Sequence, residues 1–178
     1  MLDVEALRRD TPACRQVAHL NNAGASLMPV PVVEAQIAHI RREAEIGGYE
    51  AKAEAAERIE AVYGAIARLL NCAPDEVALV ENATVAWNAA FTAFAFQPGD
   101  RILTGEAEYA SNYVNFLKQA KDRGVEIGVV PSDDWGQLDV AALEGMIDGR
   151  VKLIAMTHVP TNGGLVNPAA AAARATPA

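Results

Sequence analysis

The sequence predicts an α/β domain in three layers, with a mainly parallel sheet between helices on both of its faces. Three observations support this prediction. Strand-like and helix-like segments alternate from residue 76 onward, the strand-like segments are nearly continuous apolar runs, and 51% of the 178 residues are hydrophobic. Such runs are typical of parallel strands buried on both faces, and a chain of this length can bury a sizeable core.

Two helices are predicted before the alternation begins. The stretch 31–45 repeats apolar residues at helical spacing and has Pro31 in its first turn, where proline is well tolerated. The stretch 51–71 repeats the same period. Gly47-Gly48 between the two stretches predicts a bend.

Seven further elements are predicted from residue 76 onward. They are a strand over Glu76–Val80, a helix over 84–95, a strand over Arg101–Thr104, a helix over 111–123, a strand over Val125–Val130, a helix capped by Asp139 and a strand over Val151–Met156. The helix over 84–95 is apolar on nearly every side, which predicts that it is buried.

The chain is predicted to have three parts. Residues 1–30 form an N-terminal segment, residues 31–168 form the α/β domain, and residues 169–178 form an alanine-rich tail. Alanine favours helix but offers almost no apolar side chain to bury. The tail is therefore expected to be disordered or truncated, and the architecture to stop part-way.

Charge and composition exclude several classes of function. Lys+Arg is 15 and Asp+Glu is 23, which gives a net charge of −8 and argues against binding to nucleic acid or to an anionic membrane. Cys14 and Cys72 lie far apart, and no CxxC motif or Cys/His pair has metal-ligand spacing. The N-terminus lacks the pattern of a signal peptide, and no apolar run is long enough to span a membrane. We expect a cytoplasmic protein without a metal.

Ligands of open α/β sheets bind beyond the carboxyl ends of the strands. That rule selects the segments Glu81–Val85, Gly105–Asn112 and Thr157–Gly164. A helix that begins near Thr84 would present unpaired N–H groups and partial positive charge to a phosphate. The alternative is that Asn82 or Thr84 only caps a core helix.

The other two segments leave alternatives open as well. Tyr109 could stack on a flat heterocycle or simply pack. Glu106 and Glu108 would face opposite ways in an extended chain, so they are not interpreted as an acid/base pair. Gly163-Gly164 permits a close backbone approach to a ligand or an ordinary loop, and no dinucleotide or nucleotide fingerprint is present.

Four motifs in order give the chain a resemblance to a known family. They are HLNNAGASLMP (19–29), ENATVAWNAAF (81–91), GEAEYASNYVNF (105–116) and THVPTNGGLVNP (157–168). From about His19 to Pro168 the chain resembles the N-terminal part of the large domain of class V aminotransferases. These are fold-type I pyridoxal-phosphate enzymes that include cysteine desulfurases, selenocysteine lyases and isopenicillin N epimerase-like proteins.

The resemblance implies a cofactor, pyridoxal 5′-phosphate, and residues that bind it. Ala83, Thr84 and Val85 would hold the phosphate, partly through backbone N–H groups. Tyr109 falls where desulfurases usually have a stacking histidine, a departure that weakens the desulfurase interpretation. Thr161 falls where many desulfurases place an asparagine near the ring hydroxyl, and the neighbouring Asn162 is the alternative.

The resemblance also implies an amino-acid substrate, bordered by Asn22, Ala23 and Gly24. The Schiff-base lysine and the aspartate that pairs with the pyridine nitrogen are expected beyond Pro168, and none of the chain's four lysines matches the family position. The expected chemistry is that of a transaminase, lyase, epimerase or desulfurase. This chain alone is expected to be inactive, and family members are usually homodimers. The alternative is a non-catalytic binding or dimerisation module that retains the fold.

Overall fold

The computed structural model describes residues 2–161 and 163–175 and divides into two compact units. The first unit contains the residues up to His19 together with Ser26–Leu79. The second contains Leu20–Ala25 and the chain from Val80 onward. All three segments selected as candidate ligand sites lie in the second unit.

Helices make up the first unit. They are α1 (Val4–Asp10), a 3-10 turn (Pro12–Arg15), α2 (Val30–Ile46), α3 (Gly48–Glu54), α4 (Ala56–Leu70) and a second 3-10 turn (Pro74–Glu76). The helix predicted over 31–45 and the bend after it are confirmed, since Gly47 has φ 99°. The helix predicted over 51–71 is instead two helices that meet at Ala55.

An ion pair ties the end of α3 to α2. The Arg42 guanidinium donates through Nε and Nη2 to the two oxygens of Glu54, at 2.8 and 2.7 Å. These hydrogen bonds hold the pKa of the Glu54 carboxyl below its ordinary value. The pair fixes the last turn of α3 before the break at Ala55.

The second unit contains the predicted parallel sheet and the helices that cover it, whereas the helices predicted over 31–45 and 51–71 lie in the first unit. The elements of the second unit are α5 (Ala83–Thr92), β1 (Arg101–Gly105), α6 (Ala110–Arg123), β2 (Glu126–Val130), α7 (Val140–Met146), β3 (Val151–Ala155) and α8 (Ala169–Ala175). The strand order is β2-β1-β3, and both pairs are parallel. Gly124, at φ 70°, ends α6, and the Asp139 carboxylate caps α7 by accepting from the N–H groups of Ala141 and Ala142.

Two neighbouring residues of β1 show the three layers. Ile102 and Leu103 are both 0% exposed, and consecutive strand residues point to opposite faces. Ile102 packs with Phe91 of α5 and Phe116 of α6. Leu103 packs with side chains from α7, α8 and β2, namely Leu143, Ala172 and Val130. The sheet therefore lies between α5 and α6 on one face and α7 and α8 on the other, as predicted.

The prediction of a strand over Glu76–Val80 is wrong. Glu76 belongs to a 3-10 turn, and residues 77–80 form no strand pairing with the rest of the described chain. Leu79 and Val80 are 52% and 45% exposed. An apolar run becomes a strand only when a neighbouring strand takes up its N–H and C=O groups, and here none does so.

The predicted burial of the helix after this segment is also wrong. In α5 only Phe91 is fully buried, and Trp87 is half-buried. The other α5 side chains are exposed because the described chain covers only the side of the helix that faces α6 and the sheet. A helix with apolar side chains on every side is buried only if other elements pack against every side.

The predicted disorder of the alanine-rich tail is wrong for Ala169–Ala175, which form α8. The helix directly follows Pro168, whose carbonyl accepts from the N–H groups of Ala171 and Ala172. Ala172 is 4% exposed, because a methyl side chain lets the helix backbone approach the Leu143 cluster closely. Residues 176–178 lie outside the described residues.

A charged network closes the amino end of the sheet. Asp148 accepts from the Arg150 backbone N–H at 2.9 Å and from Arg101 Nη1 at 2.8 Å. The Arg150 backbone hydrogen bond is the main reason why the pKa of the Asp148 carboxyl lies below its ordinary value. Arg150 also pairs with Glu126 at 3.0 Å.

This network predicts a pH-dependent stability. A carboxyl whose pKa is depressed by folding stabilises the folded state above its unfolded pKa, about 3.9 for aspartate, and that stabilisation is lost as pH falls through the folded value. We expect Asp148→Asn to lower the free energy of unfolding at pH 6 and the gap to wild type to close as pH falls below about 4. Urea unfolding across pH measures this gap. Asp134→Asn, at an exposed site without an ion pair in the described chain, is the control. A gap independent of pH would contradict the prediction.

Candidate functional site

The carboxyl ends of β1 and β3 form a crevice. After β1 the chain continues into α6 on one face of the sheet, and after β3 it continues to α8 on the other face. Neighbouring parallel strands whose connections depart to opposite faces leave a crevice between them. Segment 105–112 and the described residues of segment 157–164 both lie at this crevice, as the sequence predicts.

The amino end of α5 has the geometry of an anion-binding site. Asn82 is extended at φ −164° and its Oδ1 accepts from the Val85 N–H at 3.0 Å, so Asn82 is the N-cap. The Ala83 and Thr84 N–H groups precede the first intrahelical hydrogen bond and have no acceptor among the described residues. Unpaired N–H groups at a helix start favour an anion. Of the three predicted phosphate residues, Ala83 and Thr84 therefore offer backbone donors, whereas the Val85 N–H is already engaged.

A cavity of about 720 Å³ extends from this helix start. Four segments line it: Ala23 and Gly24; Asn82, Ala83, Thr84, Ala86, Trp87 and Ala90; Tyr109, Ser111 and Asn112; Thr157, Val159 and Thr161. Its volume falls in the usual range for small-molecule sites. None of the described lining residues has a charged side chain, so the main attraction for an anion is the start of α5.

Most predicted site residues line this cavity. Tyr109 is 50% exposed and precedes α6, and it lines both this cavity and an adjoining one of about 430 Å³. Thr161 also lines both cavities. Asn162, the alternative to Thr161, lies outside the described residues. The structure thus brings Thr84, Tyr109 and Thr161 to one cavity from three separate segments.

The predicted substrate-bordering residues form a tight turn. Ala23 and Gly24 line the main cavity, whereas Asn22 does not. The Gly24 N–H donates to the Asn21 side-chain Oδ1 at 3.1 Å. A Cβ on Gly24 would lie 2.7 Å from Asn21 Nδ2, so a side chain at position 24 would displace the Asn21 amide that caps this turn.

Glu108 connects the two sides of the crevice, a role that sequence reasoning missed. Its Oε1 accepts from Thr157 Oγ1 at 2.6 Å, from the Tyr109 N–H at 2.7 Å and from Asn112 Nδ2 at 3.0 Å. Glu106 binds a different partner, Ser132 Oγ, at 2.5 Å. The only local signal was the i, i+4 spacing of Glu108 and Asn112 at a helix start.

Asn167 is a second missed residue, and it fastens the loop after β3. It is 5% exposed. Its Oδ1 accepts from the Leu138 N–H at 2.9 Å and its Nδ2 donates to the Thr157 carbonyl at 2.7 Å. Its own N–H donates to the His158 carbonyl at 2.8 Å. Asn167 therefore closes the loop that carries Thr161.

Two polar atoms at the cavity have no partner. Trp87 Nε1 and Ser111 Oγ are buried and make no hydrogen bond with the described residues, and both residues line the 720 Å³ cavity. Buried polar atoms are nearly always satisfied in native proteins. Together with the two N–H groups of α5 they fit a polar, anionic ligand.

The described chain offers neither a metal site nor a lysine at this cavity. No group of three or more His, Cys, Asp or Glu side chains among the residues searched could hold a metal ion. No lysine is among the lining residues, and Lys118 on α6 pairs instead with Asp122 at 2.5 Å. Across the same residues, no helix combines the length and the apolar character needed to cross a membrane.

Comparison with known proteins decides the family. The profile of the family Aminotransferase class-V matches residues 18–177, nearly the whole chain. The chain belongs to the class V aminotransferase family. The resemblance drawn from the four motifs is therefore confirmed.

Curated relatives of this class V chain are cysteine desulfurases. The protein from Pectobacterium carotovorum subsp. carotovorum strain PC1 is 32% identical in an alignment 178 positions long, which covers 93% of this chain and 44% of the relative. A probable cysteine desulfurase from Pyrococcus abyssi is 31% identical in an alignment 168 positions long, which covers 92% of this chain and 42% of the relative. The chain spans less than half the length of the relatives it matches.

Solved structures confirm the fold of this class V chain. The apo cysteine desulfurase from Thermococcus onnurineus NA1 matches with a TM-score of 0.79 and 24% identity over 98% of this chain and 45% of the other. A C-DES mutant with glycine covalently linked to its PLP cofactor matches with a TM-score of 0.83 and 20% identity, over 94% and 45%. The three-layer arrangement is thus that of the corresponding part of these proteins.

Proposed function

We propose that this class V chain binds pyridoxal 5′-phosphate, with the phosphate at the amino end of α5. One observation carries the proposal. Ala83 and Thr84, whose N–H groups have no acceptor among the described residues, line a 720 Å³ cavity that Tyr109 also lines. A helix start favours the phosphate, and an aromatic ring offers a stacking surface for the pyridine.

The remaining cavity residues fit the rest of the cofactor. The hydroxyl of Thr161, which lines the cavity, is suited to hydrogen-bond the ring hydroxyl. Trp87 Nε1 and Ser111 Oγ are buried polar atoms without a partner among the described residues, and they could bind other polar atoms of the cofactor. When bound, pyridoxal phosphate supplies an electron sink for chemistry at an amino acid. The chain's own part is to bind the phosphate, orient the ring and line the substrate side with Ala23 and Gly24.

The proposed substrate is an amino acid, and cysteine is the first to test because the relatives are named cysteine desulfurases. Tyr109 departs from the histidine usual in that group, so the proposal extends to transaminase, lyase and epimerase chemistry. We further propose a cytoplasmic homodimer, as is usual for the family. Since no lysine lines the cavity, the 178-residue chain is proposed to bind the cofactor without catalysing alone.

The test uses pyridoxamine 5′-phosphate, which has no aldehyde and cannot react with the chain's four lysines. Calorimetric titration is expected to give a dissociation constant of about 1 mM or tighter. Pyridoxamine, which lacks the phosphate, is expected to bind at least about tenfold more weakly, a difference of about 1.4 kcal/mol. Equal binding of both would contradict phosphate anchoring. Absence of binding would favour the non-catalytic module.

A further inference from the structure

We propose that Glu108 is the positioning residue of this site, holding the Tyr109 segment and the Thr157 segment in one arrangement. The inference rests on the proposed cofactor site and adds a residue that does not itself line the main cavity. Its basis is one carboxylate that binds three elements of the crevice.

The contacts of Glu108 bridge β1, α6 and the loop after β3. Oε1 accepts from Thr157 Oγ1 at 2.6 Å and from the Tyr109 N–H at 2.7 Å. Asn112 Nδ2, in the first turn of α6, donates to the same oxygen at 3.0 Å. Oε2 lies 3.3 Å from Thr104 Oγ1, and Thr104 is 0% exposed at the end of β1.

These hydrogen bonds determine which donor and acceptor atoms of Thr157 and Asn112 remain for a ligand in the cavity. A threonine hydroxyl has one proton, and Thr157 gives that proton to Glu108, so toward the cavity its oxygen can only accept. Asn112 donates one of its two amide protons to Glu108, which orients its amide group. Both residues line the 720 Å³ cavity beside Tyr109. Glu108 therefore sets the hydrogen-bonding polarity of one wall.

Glu108 lacks a cationic partner within the described chain. Its charge is balanced by neutral donors, which makes it unlike the ion pairs at the amino end of the sheet. Removing the carboxylate would leave several part-buried donors without an acceptor, a costly change. The segments that it joins would then be free to separate.

The experiment is a double-mutant cycle on binding of pyridoxamine 5′-phosphate by the full 178-residue chain. Glu108→Ala and Thr157→Val are each expected to weaken binding about tenfold, and the double variant about as much as either alone, because contacting residues act as a unit. Glu108→Gln, which keeps an acceptor oxygen, is expected to retain most of the affinity. Glu106→Ala, which removes the neighbouring carboxylate bound to Ser132, is the matched control and is expected to leave it unchanged.

A second readout needs no ligand. Backbone NMR order parameters, about 0.85 in rigid segments, are expected to fall in Glu108→Ala at both 107–110 and 157–161, and to stay unchanged in Glu106→Ala. If the order parameters fall at 107–110 alone, Glu108 only caps α6 and the inference is overturned. Wild-type affinity of Glu108→Ala for pyridoxamine 5′-phosphate would also overturn it. So would additive effects of the two substitutions in the double-mutant cycle. If wild type fails to bind, the proposed function fails, whereas the order parameters still decide whether Glu108 couples the segments.

Discussion

Replacing Ala83 with proline and Thr84 with valine together is expected to weaken binding of pyridoxamine 5′-phosphate by roughly 100-fold or more. Each change removes one donor to the phosphate, the Ala83 N–H and the Thr84 hydroxyl, and hydrogen bonds to charged groups contribute about 1.5–3 kcal/mol each. Proline is favoured at the first helical position. Asn82 already has the extended backbone, φ −164° and ψ 169°, that a residue before proline adopts.

The control for this prediction is Thr92→Val in the last turn of the same helix. The Thr92 hydroxyl donates to the Asn88 carbonyl at 2.8 Å and lies outside the cavity lining. The affinity of Thr92→Val for pyridoxamine 5′-phosphate is expected to match that of wild type. Circular dichroism should show α5 intact in both variants. Undiminished affinity in the double variant would mean that the phosphate binds elsewhere.

Phe116→Ala is expected to lower the free energy of unfolding by about 3–5 kcal/mol, the usual cost of truncating a buried aromatic residue. Phe116 is 0% exposed. Its ring centroid lies 5.6 Å from Phe91, 6.0 Å from Trp87 and 5.9 Å from Tyr113. The alanine variant would leave a void between α5, α6 and the sheet, beneath the proposed cofactor site.

Phe94→Ala is the matched control for the core. Phe94 is 44% exposed and stacks on Phe96 at a centroid distance of 5.9 Å, so its truncation is expected to cost about 1 kcal/mol. Urea unfolding followed by far-UV circular dichroism measures both variants. Equal losses in the two variants would contradict the assignment of Phe116 to the centre of the core.

Local patterns were sufficient for most of the fold. Apolar runs and turn residues predicted β1, β2 and β3 to within one or two residues of their observed bounds, and Gly124 and Asp139 ended and began helices as expected. The prediction failed where an element depends on neighbours. Residues 77–80 and the outer side of α5 have apolar sequences, but the described chain provides nothing that pairs with or covers them.

The candidate site was predictable where a motif is contiguous. Thr84, Tyr109 and Thr161 each lie in one of the three segments selected from the sequence. The structure brings all three residues to one cavity. Glu108 and Asn167 were missed because their partners are distant in sequence. Glu108 binds Thr157, 49 residues away, and Asn167 accepts from the Leu138 N–H across 29 residues. No local periodicity indicates such contacts.

The most direct test of the central claim is a titration of the ¹⁵N-labelled chain with pyridoxamine 5′-phosphate, followed residue by residue in amide spectra. If the phosphate lies at the start of α5, the largest shifts are expected at the Ala83 and Thr84 amides, with smaller ones at Tyr109 and Thr161. Pyridoxamine without the phosphate should leave the first two amides almost unmoved. Largest shifts at any other helix start, such as that of α8, or equal shifts with both compounds, would contradict a phosphate anchor at α5.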